Sequence, residues 1–240
     1  MALTRLQMSG EVLDNLGREG SAETRNGTTL SDMSVRWLNR AQLQAARKYN
    51  ILFKTSTATT VADVQTYTFP ATLRSLYSLR LENGIESRKL TCIMPWDFDK
   101  AVSKPDEDFT STPTYYIPYK ATNEFELYRI PDDTYTLRLR YSMWPADLAL
   151  DASTSSYQVA GIDADDATIA LATSYGYAYL QELVDATKWR EAGWMLWKMI
   201  SDATRDIFPD WAPREMGFSI YDSQELPGEY YNNPFVLRGP

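Results

Sequence analysis

The sequence contains no histidine and only one cysteine, Cys92, among its 240 residues. Without histidine the chain lacks the commonest general base, the usual nucleophilic triads and most zinc ligand sets. A single cysteine cannot form a disulfide within the chain, which fits a reducing compartment or an assembly made in one. Cys92 is also a poor nucleophile candidate, because no histidine is present to activate it.

Positive charge and long apolar runs are scarce as well. The 24 Lys and Arg against 32 Asp and Glu give a net charge of −8, the opposite of what nucleic-acid binding normally requires. No window approaches the roughly 18 apolar residues of a transmembrane helix, and the N-terminus lacks the basic and then apolar layout of a signal peptide. The sequence therefore predicts a soluble, unexported protein that does not bind a membrane and does not hold DNA tightly.

The candidate chemical groups each have an ordinary structural explanation. Adjacent carboxylates occur at Asp132-Asp133 and at Asp165-Asp166, and such pairs can act as acid and base or bind a divalent ion. Their local sequences are those of a turn between strands and of a helix N-terminus, which is the simpler interpretation. No glycine-rich phosphate loop or nucleophile elbow is present. We therefore expect no enzymatic activity, no cofactor and no metal site.

Apolar residues that recur at three- and four-residue steps predict helices on both sides of the middle of the chain. The predicted helices span 3–16, Asp32–Phe53 with Ser31 as the N-cap, about 163–183, and, after a break near 185–187, about 189–208. The polar run 18–29 is expected to be a mobile loop. In the third helix, the small residues Ala172 and Gly176 would let another helix come close.

Strict alternation of apolar and polar residues over Tyr135–Pro145 predicts a half-buried strand at the centre of a sheet. Leu76–Leu81 is expected to pair with Arg88–Ile93 through the Asn83-Gly84 turn, with Cys92 in the return strand. The other elements predicted in this region are a Thr-rich link over 55–60, strands at 64–69, 115–119 and 124–129, and a short helix over 95–102. Together these strands suggest a meander of five or six strands.

The sequence thus predicts an α+β protein in three parts. Residues 1–62 and 146–208 would form a helical bundle, and residues 63–145 an inserted antiparallel β-sheet region. Residues 209–240 would form an extended C-terminal arm, because five of the twelve prolines fall there and no periodic pattern does. The arm is nevertheless too aromatic for a linker that stays solvated. Its aromatic residues are Trp211, Phe218, Tyr221, Tyr230, Tyr231 and Phe235.

Two surface features of the predicted helices have alternative interpretations. Trp194 and Trp197 fall off the apolar stripe of the last helix, so they indicate either a subunit contact or a broad buried face. The basic residues of the second helix lie on its outer face, which indicates an ordinary hydrated helix or a surface that tolerates passing DNA without gripping it. These basic residues are Arg36, Arg40, Arg47 and Lys48.

The order of these parts carries a family resemblance. An N-terminal helix, a second helix, a β-insertion and a final helix pair are marked by spaced aromatic and proline signatures. The signatures are Trp37-Leu38-Asn39-Arg40-Ala41, Tyr67-Thr68-Phe69-Pro70, Pro113-Thr114-Tyr115-Tyr116, Glu126-Leu127-Tyr128-Arg129-Ile130-Pro131, Leu139-Arg140-Tyr141 and Trp144-Pro145. Over about residues 30–208 the chain resembles the head-to-tail adaptor (connector) proteins of tailed bacteriophages. It departs from them by its polar 17–30 loop.

The resemblance implies a structural virion protein made in the host cytoplasm and placed at the head–tail junction. Proteins of this family form a ring, usually of twelve copies, beneath the portal, extend the DNA channel and offer the tail components a docking surface. The implied partners are the portal protein, tail tube or nozzle proteins and further copies of the chain, with double-stranded DNA passing through unbound. Because C-terminal segments in the family commonly reach the portal, the six aromatic residues of the arm are the expected portal anchors.

Two other functions stay open at this point. Within the same class, the chain could be another ring protein of the tail, such as a terminator or stopper, which the absence of a long helical pair would favour. From a different class, the aromatic content of 13% is compatible with a carbohydrate-binding or hydrolytic protein.

Overall fold

The computed structural model describes residues 3–18, 24–25, 27–101, 110–119 and 122–207. These residues are mixed α and β, which confirms the predicted class. They form two compact units, one built from the chain up to Leu52 and from Trp144 onward, and the other from Phe53–Met143. The predicted arm, 209–240, lies outside the described residues.

The described elements are numbered along the chain. The helices are α1 (Arg5–Asn15), α2 (Leu30–Lys48), α3 (Pro95–Ala101), α4 (Ser156–Val159), α5 (Asp165–Tyr179) and α6 (Leu183–Ile207). The strands are β1 (Thr24–Arg25), β2 (Thr28–Thr29), β3 (Phe53–Thr59), β4 (Thr66–Thr68), β5 (Leu73–Glu82), β6 (Ser87–Lys89), β7 (Thr91–Cys92), β8 (Tyr115–Tyr119), β9 (Glu124–Tyr128) and β10 (Thr136–Met143).

The helical unit is organised around α5, against which α1, α2 and α6 all pack. Every residue from Ala167 to Ser174 is buried. Close packing depends on two glycines. A Cβ at Gly176 would lie 2.5 Å from Leu16 Cδ1, and one at Gly193 of α6 would lie 2.9 Å from Leu171 Cγ. The predicted close approach of another helix is therefore confirmed at Gly176.

The buried stripe of α6 differs from the prediction. It runs through Ala186, Gly193, Trp197 and Ser201, so it includes Trp197, which the apolar pattern put off the stripe, whereas Met199 is 62% exposed. Helix α6 contacts α5 through the side that carries Gly193, because the two helices come closest where α6 has no side chain. The large apolar residues that dominate the sequence pattern consequently lie beside the contact or outside it.

Several boundaries of the helical unit also differ from the prediction. The N-cap of α2 is Thr29, whose hydroxyl accepts a hydrogen bond from the Asp32 amide, and not Ser31. The helix ends at Lys48 instead of Phe53. Part of the expected loop over 18–29 is a small antiparallel hairpin of β1 and β2. The break before α6 falls at 180–182, where Gln181 has a positive φ of 69°, and not at 185–187.

The β unit contains two four-stranded sheets in place of the predicted single meander. The first has the order β3-β10-β5-β6 and the second β4-β9-β8-β7. Strand β10 pairs with β3 on one side and β5 on the other, which confirms that it is a central strand. The Thr-rich run predicted as a link is β3 itself, because its β-branched residues pair with β10 from Phe53↔Ser142 to Thr59↔Thr136.

The two sheets share one hydrophobic core. Leu79, Leu137 and Leu139 of the first sheet and Phe125 and Leu127 of the second are almost fully buried in the same cluster. Each sheet has an apolar face, and neither face can stay in water, so the two faces cover one another. On the second sheet, a smaller cluster joins Phe98 of α3 to residues of β8 and β9.

The predicted hairpin at Asn83-Gly84 is confirmed, with Gly84 at a φ of +84° and the Asn83 side chain accepting from the Glu86 amide at 2.7 Å. Its return strand is shorter than expected and ends at Lys89. Cys92 therefore belongs to β7, which joins the second sheet and pairs in parallel with β8.

We predict that Gly193→Val lowers the free energy of unfolding of the helical unit by about 1–3 kcal/mol, because the added side chain must displace Leu171 in a packed contact. The matched control is Gly10→Ala, since Gly10 is also helical but nothing lies within 4 Å of an added Cβ. That change should raise the free energy by about 0.5–1 kcal/mol. Urea denaturation followed by far-UV circular dichroism measures both, and an unchanged or raised stability of the valine variant would contradict the close contact.

Candidate interaction surfaces

One candidate interface residue, Trp194, lies half-buried beside a cation and a second aromatic ring. The Lys48 ammonium group is 4.3 Å from the centre of the Trp194 ring, and the Tyr49 ring centre is 6.2 Å from it. A lysine over an indole face is held by the negative potential of the ring. Trp194 thus sits in a small basic and aromatic surface formed by the end of α2 and the middle of α6.

The same surface continues along α2 to Arg40. The Arg40 guanidinium lies 4.8 Å from the centre of the Tyr175 ring, and the Tyr175 hydroxyl donates to Gln44 Oε1 at 2.7 Å. Burial raises the pKa of the Tyr175 hydroxyl, while the charges of Arg40 and Arg190 lower it, so Arg190 of α6 is also near. We call Arg40, Lys48, Tyr49, Tyr175, Arg190 and Trp194 the basic–aromatic face.

The second candidate, Trp197, is fully buried in the helical unit and presents no ring to a second subunit. Its ring centre lies 4.7 Å from that of Tyr157, in an edge-to-face arrangement. The Tyr157 hydroxyl donates to the Gln42 carbonyl at 3.2 Å. The sequence left two interpretations of Trp197 open, a subunit contact or a buried face. The structure shows the buried face, so the assignment of Trp197 to a subunit contact is wrong.

The adjacent carboxylates have the structural roles favoured by their sequence context. Asp165 is buried at the start of α5 and accepts hydrogen bonds from the Leu3 amide at 3.1 Å and the Ser155 hydroxyl at 3.0 Å. Asp132 accepts from the Tyr135 hydroxyl at 2.7 Å, in the turn that precedes β10. Within the described ranges, no cluster of three or more His, Cys, Asp or Glu residues could hold a metal ion.

An acidic surface lies along α1 and the start of α5. Burial, followed by the carboxylates of Asp166, Asp14 and Asp165, raises the pKa of Glu11. Every charged group that shifts this pKa is acidic, which shows that like charges are gathered there. We call Glu11, Asp14 and Asp166 the acidic face. The sequence analysis missed it, because these residues come together only when α1 packs on α5.

A cleft of about 270 Å³ lies between α1 and α2. Its lining carries mixed charge, with Arg5 and Arg36 beside Asp32 and Asp151. Arg5 already donates to the Ala149 carbonyl at 3.0 Å and pairs with Asp151. The arrangement stabilises the α1 terminus and offers no convergent set of groups for a reaction.

Cys92 is half-buried as a residue, but its thiol is in an apolar setting. Burial raises the pKa of the thiol to about 11, and the side-chain hydrogen bond with Tyr116 opposes this only in part. The thiolate is the reactive form, so the folded chain holds this cysteine in an unreactive state at neutral pH.

The remaining predicted sites fall outside this description. The arm residues Trp211, Phe218, Tyr221, Tyr230, Tyr231 and Phe235 lie beyond the described ranges.

Among the helices that the structure describes, none combines the length and apolar character needed to span a bilayer.

The chain was compared with protein families and with curated proteins. A family model described as SU10 adaptor protein matches residues 4–217. No curated protein matches the chain.

We predict that Cys92 of the folded chain reacts with iodoacetamide at pH 8 about 100-fold more slowly than in the urea-unfolded chain, because a pKa of about 11 in place of 9.0 leaves correspondingly less thiolate. The raised pKa also means that the buried thiol stabilises the fold below about pH 9 and that this contribution is lost as the pH rises through 11. Mass spectrometry of quenched samples gives both rates, and equal rates would contradict a buried thiol.

Proposed function

The chain belongs to the SU10 adaptor protein family, whose model covers residues 4–217, and from this membership we propose that it is a structural protein of the virion that joins the head of a tailed phage to its tail. The extent of the match carries the proposal. It includes both the helical unit and the β unit, so the adaptor role belongs to the whole described chain and not to one part of it.

In this proposal copies of the chain form a ring, of twelve members, beneath the portal protein. The ring extends the DNA channel and gives tail tube or nozzle proteins a surface on which to dock. The half-buried Trp194, with Tyr49 beside it, supports a role in contacts between subunits, because tryptophan and tyrosine are frequent at the centres of interfaces. The paired helices α5 and α6 argue against the terminator or stopper alternative, which the lack of such a pair would have favoured.

The charge of the chain supports a passive channel for DNA. A net charge of −8 per subunit disfavours phosphate contacts that release counterions, so DNA stays hydrated and mobile as it passes. Enzymatic activity is not part of this proposal, since each carboxylate pair of the described chain has a structural role.

The C-terminal segment, 209–240, is proposed as an extended arm that docks on the portal, with Trp211, Phe218, Tyr221, Tyr230, Tyr231 and Phe235 as anchors. Burying one such aromatic side chain contributes about 1.5–3 kcal/mol, whereas fixing each backbone residue costs roughly 1–2 kcal/mol. For six such side chains and 32 residues the backbone cost exceeds the gain from burial, so the arm gains order only when a partner also contacts it and satisfies its backbone. Many copies acting together would then strengthen a weak single contact.

We predict that the purified chain is a monomer or small oligomer and forms a ring when the portal protein is added, because the portal supplies the template. Sizing by light scattering, with and without portal, and negative-stain microscopy of the mixture measure this. Absence of any complex with portal would refute the proposed function, and a stable ring without portal would refute the templating.

We predict that a chain ending at Phe208 keeps the circular dichroism and melting temperature of the full chain but no longer attaches to portal-bearing heads. Cosedimentation with tailless heads measures attachment. Normal attachment would show that the arm is not the portal contact, and early melting would show that it belongs to the subunit's own core. A full-length chain with Ile85→Ser serves as the control, because Ile85 is an exposed apolar residue at a hairpin tip.

A further inference from the structure

The basic–aromatic face and the acidic face lie on opposite sides of the helical unit. Tyr175 and Asp166 are nine residues apart on α5, and at about 3.6 residues per turn this separation is close to two and a half turns. Their side chains therefore leave α5 in opposite directions. Contacts on each side agree, since Tyr175 lies under Arg40 of α2, while Tyr177, on the Asp166 side, donates to the Asn15 carbonyl of α1 at 2.7 Å.

The two faces carry opposite charge. Arg40, Lys48 and Arg190 gather on one side around aromatic rings. Asp202 is an acidic residue near them, since burial and then the charge of Asp202 raise the pKa of Tyr49. On the other side, Glu11 and Asp14 are three residues apart on α1 and therefore share a side of that helix, and they and Asp166 in the first turn of α5 are all exposed. A subunit with complementary patches on opposite sides associates head to tail, and such heterologous contacts produce rings when the rotation closes.

We propose that the basic–aromatic face of one copy docks on the acidic face of the next copy. The inference rests on the proposed ring and specifies its contact. Basic side chains stacked over rings keep N–H donors for carboxylates, and the rings of Trp194, Tyr49 and Tyr175 supply apolar area around them. Asp202 and the net charge of −8 make DNA phosphate the poorer occupant of this face.

The test uses two charge-reversed full-length chains with portal. The first, Arg40→Glu with Lys48→Glu, has two acidic faces, and the second, Glu11→Arg with Asp14→Arg, has two basic faces. Each alone should lose at least about tenfold in ring yield, because like charges then meet at every contact. An equimolar mixture should recover rings by alternation, and a chain that carries all four changes should recover them by itself.

The matched controls are Arg88→Glu and Glu86→Arg, which reverse exposed charges in the β5–β6 hairpin and should leave ring yield unchanged. Melting curves show that each variant is folded, and recovery in the mixture requires folded chains. Normal rings from either face variant, or no recovery in the mixture, would overturn the proposal. So would DNA binding by the wild type at physiological salt that Arg40→Glu with Lys48→Glu abolishes while rings persist.

The outcome is separable from that of the proposed function. If the wild type binds portal in a ring, and the face variants form that ring in the same yield, the adaptor role stands and the face pairing fails. If the wild type forms no ring on portal, the adaptor role fails, and sedimentation of the two face variants mixed at high concentration judges the pairing alone. Association of the mixture, and of neither variant by itself, then supports the pairing, and its absence overturns it.

Discussion

The helical unit depends on how closely two helices can approach α5. Gly176 lies under Leu16 and Trp37, and Gly193 lies against Leu171, at distances that leave no room for a Cβ. Because protein interiors are packed at crystal-like density, a helix that approaches this closely is fixed in rotation as well as in distance. The positions of Trp197 in the core and Trp194 at the surface follow from that rotation.

The same constraint produces the two charged faces. Since α5 is buried from Ala167 to Ser174, its accessible side chains lie at its two ends, and Asp166 and Tyr175 are among them. Helices α1 and α2 then supply Glu11 and Asp14 on one side and Arg40 and Lys48 on the other. Charge separation across the unit is therefore a result of helix packing, not of any charged block in the sequence.

Local patterns predicted the elements well where one face is dry and the other wet, as in β10 and α2. Strand β3 escaped prediction because most of its residues are exposed and polar, so no alternation marks it. The division into two sheets was not predicted, because β7 pairs in parallel with β8 and no turn sequence predicts a parallel pairing. The burial of Trp197 depends on the close packing at Gly193, and the Lys48–Trp194 contact depends on the packing of α2 against α6. The periodicity of a single helix predicts neither contact.

The pairing of β3 with β10 has a consequence for how such chains diversify. The first and last strands of the β unit are neighbours along their whole length, from Phe53↔Ser142 to Thr59↔Thr136, so the segment leaves and returns at adjacent points. A segment with adjoining ends can be replaced by another of different length without moving the residues that flank it. Because its ends adjoin, the β unit can change in length and sequence while the flanking helices keep their packing.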